Sequence, residues 1–141
     1  LTGKEVYRKS ARQALQYVLP LQKENGRFTT TYEIHKSEDW RPVSSESAIA
    51  LFCLARVMRY DPCEEVRTAL ERVLQFLLTL QHKSGAIVNC SPDSLGASLQ
   101  EEENLCDLVY TEGFALMGFT EAYRVLGIRE AWRRPKNWVA S

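Results

Sequence analysis

No stretch of this chain approaches the run of about 20 apolar residues that a membrane-crossing helix needs. No secretory leader pattern opens it, and it starts on Leu1 rather than Met, which reads as a processed or internal start. Charge of one sign is also missing: 18 Lys and Arg stand against 18 Asp and Glu. Nucleic acid and anionic membranes attract a basic surplus, so neither is expected as a partner. The short basic cluster Arg129, Arg133, Arg134 and Lys136 reads as a solvated helix end. Neither a Walker-type phosphate loop nor G-x-G-x-x-G occurs. The four cysteines, Cys53, Cys63, Cys90 and Cys106, form no C-x-x-C pair. Free thiols in a reducing, cytoplasmic setting are the expectation, with Cys53 as a small buried hydrophobe in an apolar helix. His35 and His82 are the sole histidines. His82, Cys90, Cys106 and Asp107 have the ligand types of a zinc site, but their spacing lends no support, so no metal and no cofactor is expected.

What is present is an ordinary globular composition, 45% hydrophobic and 26% charged over 141 residues. A domain of that size buries about two-thirds of the surface its unfolded chain exposes, enough for a core without disulfides or metals.

The chain also repeats itself. Ala14-Leu-Gln-Tyr-Val-Leu-Pro-Leu-Gln-Lys-Glu-Asn-Gly-Arg-Phe28 has a partner in Val73-Leu-Gln-Phe-Leu-Leu-Thr-Leu-Gln-His-Lys-Ser-Gly-Ala-Ile87. Leu15, Gln16, Leu19, Leu21, Gln22 and Gly26 recur without a gap as Leu74, Gln75, Leu78, Leu80, Gln81 and Gly85. Apolar residues at helical spacing precede each Gln, so one face packs inward. Each Gly then permits a left-handed helix end, and Phe28 or Ile87 pins the departing chain. Pro20 is expected to thin the last turn of the first copy.

A second helix follows each copy. Ser44 to Tyr60 opens on Ser-Ser-Glu-Ser, a good N-cap region, and continues almost wholly apolar to Met58. Asp61-Pro62 ends it and starts the next helix. Leu108 to Leu126 is its counterpart, with Ala50-Leu51 matching Ala115-Leu116 and Arg59 matching Arg124; Gly127 terminates it. The expected order is helix 4–22, helix 44–60, helix 63–82, helix 108–126, a short piece near 129–133, then a tail. This is one all-α domain of helical-hairpin repeats, unit one at about 4–60, unit two at about 63–126, and a C-terminal tail at 127–141. The loops at 26–43 and 85–107 are long, and long loops on rigid helices are where binding and catalysis tend to sit.

The ending Gln22-Lys-Glu-Asn-Gly-Arg-Phe28 resembles the repeat ends of α/α-toroid proteins, as in terpenoid cyclases and prenyltransferase β subunits. It is also similar to helix ends of six-hairpin glycosidases, polysaccharide lyases and sugar epimerases. Asp107-Leu-Val-Tyr-Thr-Glu-Gly-Phe-Ala-Leu-Met-Gly-Phe-Thr-Glu-Ala-Tyr-Arg-Val-Leu-Gly127 resembles a helix of the sugar-epimerase branch. The resemblance implies a partial α/α toroid. Such a part is completed by a longer protein or by self-association of copies into a ring, or it stands as an open stack. The acidic Asp-x-Asp-Asp motif of one cyclase class is absent.

Three functions follow as expectations. The first is a carbohydrate-active protein, a glycoside hydrolase, lyase or epimerase acting on a sugar or oligosaccharide. Asp107 and Glu112 would be its catalytic acid and base, since a pair of carboxylates is what glycosidic hydrolysis requires. Tyr32, Glu33, His35, Trp40, Arg41 and Tyr110 would bind substrate, aromatic rings stacking on sugar faces while acids and Arg bind hydroxyls. The plainer account is a surface loop pinned by Trp40, with Asp107 as a helix N-cap and Glu101-Glu102-Glu103 as a solvated helix start. The second is a terpenoid- or prenyl-binding protein with a cavity lined by Trp40, Phe52, Phe114 and Phe119, residues that core packing explains equally. The third is a non-catalytic repeat module that binds a protein partner.

Overall fold

A computed structural model describes residues 4–30, 44–88 and 110–127. Among these residues four α-helices carry the fold: α1 at Glu5–Val18, α2 at Ser45–Tyr60, α3 at Glu64–Thr79 and α4 at Thr111–Leu126. No helix among them is long and apolar enough to cross a membrane.

α1 gathers Tyr7, Ala11, Ala14, Leu15 and Val18 on one side at helical spacing. Pro20 cannot donate the bond that would continue the helix, and the chain tightens into a 3-10 turn at Leu19–Leu21. α2 buries Ser47, Ala48, Leu51, Leu54, Ala55 and Met58, one side of the helix rather than its whole circumference. Cys53 lies on the other side and is exposed, which corrects its expected burial. The uninterrupted apolar run hid the distinction, because periodicity cannot rank faces when nearly every residue is apolar. Ser44 sits at the N-cap position but makes no capping bond; its hydroxyl donates to the carbonyl of Val88 at 2.7 Å. Asp61 ends α2, its N–H donating to Val57 O at 2.8 Å. Pro62 falls before α3, which starts two residues later with Glu64 and Glu65 in its first turn, where acidic side chains suit the helix dipole.

α2 is the central element and packs against both α3 and α4. Leu51, Leu54, Leu70, Val73, Leu77, Leu80 and Ile87 are buried where these helices meet. Each such side chain contributes about 1.5–3 kcal/mol by leaving water. Gly118 sets how closely α4 approaches α2: a Cβ there would lie 2.8 Å from Leu51 Cδ2 and 3.1 Å from the Phe52 amide nitrogen. α4 ends at Gly127, whose φ of 66° is the left-handed conformation that glycine adopts without penalty.

The two chain segments that match in sequence form the same turn. Gln22 bridges to Phe28, and Gln81 to Ile87. Gly26 and Gly85 have φ of 91° and 95°. The Gln22 amide donates to Gly26 O at 2.9 Å, and the Gln81 amide to Gly85 O at 3.0 Å. Thr29 N–H reaches Leu21 O at 2.9 Å, and Val88 N–H reaches Leu80 O at 3.0 Å. The Gln therefore serves as an internal brace, satisfying the carbonyl that the left-handed Gly leaves outside the helix.

Candidate functional site

Of the expected site residues, Tyr32, Glu33, His35, Trp40, Arg41 and Asp107 lie outside the described residues. Glu112 and Tyr110 are described. Glu112 occupies the first turn of α4, and its Oε1 accepts the backbone N–H of Ile87 at 2.5 Å. Ser47, in the first turn of α2, does the same for the first turn motif: its Oγ accepts the N–H of Phe28 at 3.0 Å. The register that matches Ala50 with Ala115 also matches Ser47 with Glu112. Each side chain thus satisfies a buried amide at the closing residue of the turn before it. Glu112 also borders a cavity of about 190 Å³ shared with Gln81, Ile87, Leu116 and Phe119. Tyr110 is exposed and sets its ring edge-on to Phe114 at 5.4 Å.

The other aromatics pack as helix contacts. Phe52 of α2 meets Phe114 of α4 with centroids 6.4 Å apart. Phe119 packs against the core beside Glu112. His82 is engaged by its own turn, its Nδ1 accepting the N–H of Ser84 at 3.2 Å.

Two features escape the sequence. The first is a carboxylate held by three guanidiniums. Glu121 of α4 is buried, its Oε1 2.7 Å from Arg124, its Oε2 3.5 Å from Arg59 and 3.9 Å from Arg56. Oε2 receives no well-aligned hydrogen bond, so its attraction to α2 is ionic rather than directional. The match of Arg59 with Arg124 was the available signal, but nothing local marks Glu121 as their shared partner.

The second is a groove of about 850 Å³ between α1 and α2. Tyr7, Ala11 and Leu15 of α1 face Val57 and Tyr60 of α2 across it. Lys4, Arg8, Arg12 and Arg56 outnumber Glu5 and Asp61 on its rim. Asp61 is gripped by Arg12 at 2.8 Å and Arg8 at 2.9 Å. Those hydrogen bonds, Arg12 first and then Arg8, hold its carboxyl well below the usual carboxylate range. The guanidiniums of Arg56 and Arg59 lie 5.2 Å and 5.7 Å from the Tyr60 ring centroid, within cation–π range. The groove is thus apolar within and basic at its edge.

Set against family models, curated proteins and solved structures, the chain matches none of them.

Proposed function

We propose that this chain is a non-catalytic helical-hairpin module, part of an α/α toroid, that binds a protein partner. The observation carrying this reading is the groove between α1 and α2. It pairs an open apolar lining with a basic rim, and it lies apart from the cavity beside Glu112. Large apolar concavities edged by charge are where partners dock. The structural use of Glu112 points the same way, since a carboxylate holding a backbone amide is drawn from acid–base work.

Selection from a library of helical peptides tests this reading. The native protein is expected to enrich binders that an Ala11→Trp variant, with the groove filled from an exposed position, does not. Absence of enrichment by the native protein rejects it. A carbohydrate-active function is the second reading, favoured by Glu112 lying at the wall of a cavity with Gln81 and Phe119. Turnover on an oligosaccharide panel that Glu112→Gln abolishes, with folding intact, would establish it instead.

A further inference from the structure

We propose that the groove between α1 and α2 seats an amphipathic helix of a partner, bearing a carboxylate that meets Arg56. This rests on the protein-binding reading above and names the partner's chemistry.

The sequence register matches Leu15 with Leu74 and Ala50 with Ala115. On it, the α3 face Val66, Leu70, Val73, Leu74 and Leu77 corresponds to Tyr7, Ala11, Ala14, Leu15 and Val18 of α1. The α3 set is buried, whereas α1 has no buried residue. The α4 face Gly118, Glu121 and Ala122 corresponds to Cys53, Arg56 and Val57 of α2. The α4 set is buried, whereas Cys53 is exposed and Arg56 and Val57 are partly so. Tyr7, Ala11 and Leu15 of the first bare face and Arg56 and Val57 of the second line one groove. In the second hairpin, the helix packed on both corresponding faces is α2. The groove therefore has the walls of a helix seat.

Its chemistry differs from that of the α2 seat at one point. Where α2 brings Arg56 and Arg59 to Glu121, the groove presents Arg56 in the matching place. Like charges at that point repel, so the arriving residue is a carboxylate. A second copy offering α4, the helix that matches α2, brings Arg124 to Arg56, wrong in charge, so the occupant is a different chain.

The probe is a synthetic peptide spanning residues 44–61 with Arg56→Glu and Arg59→Glu, compared with the unmodified peptide. Binding to the intact protein is read by fluorescence anisotropy. The modified peptide is expected to bind on the order of tenfold more tightly, one charge pair's worth of free energy. Ala11→Trp should abolish this binding. Arg56→Ala, which leaves Glu121 its contacts with Arg59 and Arg124, should erase the preference, and Arg56→Glu should invert it. Equal affinities, no binding by either peptide, or binding indifferent to Ala11→Trp would overturn the proposal. Self-association of the native chain that Ala11→Trp removes would also overturn it, by making a second copy the occupant. Library enrichment blocked by Ala11→Trp but lacking acidic preference would sink this proposal alone and leave the protein-binding reading standing.

Discussion

α1 and α3 carry corresponding apolar stripes and meet opposite fates. Leu74 of α3 is buried against α2, while its match Leu15 in α1 is only partly covered. The turns that follow them diverge in the same way. Gly26 is buried against α3, with the Gln22 amide also donating to Ala69 O at 2.9 Å and Arg72 donating to Lys23 O at 2.6 Å. Gly85 has open space around it. The shared Gln and Gly positions therefore make the same turn in both places, and the neighbour decides how much stability that turn contributes.

The sharpest test of the difference is at the two glycines. Gly26→Ala would force a left-handed alanine and drive its Cβ into the carbonyl of Arg72. Strain and collision together should cost about 2–6 kcal/mol. Gly85→Ala meets only the φ penalty, about 1–2 kcal/mol. Urea unfolding of the two variants measures the gap, and equal losses would break the comparison. Next in size, Leu74→Ala should cost about 2–5 kcal/mol as a core deletion, and Leu15→Ala less than about 1 kcal/mol. A Leu15→Ala loss as large as that of Leu74→Ala would mean α1 is fully packed in solution.

Glu112 and Ser47 allow a finer cut. Glu112→Ala and Ser47→Ala each leave a buried amide without its acceptor, with an expected loss of about 1–3 kcal/mol. Glu112→Gln keeps an acceptor oxygen and should come close to the native melting temperature. If Glu112→Ala melts like the native protein, the carboxylate is free for another task.

The smallest effect concerns Asp61. Its folded-state carboxyl is held below the unfolded value of about 3.9 by Arg12 and Arg8. Its contribution is thus complete above about pH 4 and is lost as pH falls through the lower, folded value. NMR carbon shifts along α1 should show fraying at the acid end of that window. Asp61→Asn should show the same fraying at neutral pH. Added salt should weaken the native contact, since these charges face solvent.

Much of the fold is legible in the sequence. The Pro20 turn, the left-handed Gly26, Gly85 and Gly127, and the Asp61 stop all follow from single residues acting on their own backbone. The Cys53 face did not, because an apolar run carries no ranking of sides until a neighbour chooses one. Ser44 takes the N-cap position that the Ser-Ser-Glu-Ser start suggests, but its hydroxyl finds the carbonyl of Val88, forty-four residues along the chain.

The same division holds for the site. By itself the sequence determined the four described helices to within about a turn and the two matching turns, because those rest on dihedral preference and on bonds between near neighbours. Tertiary structure alone decided that Glu112 holds the amide of Ile87, that Glu121 collects three arginines, and that α1 and α2 leave a groove between them. Burial and ion pairing belong to pairs of elements, and no single stretch of chain records which pair will form.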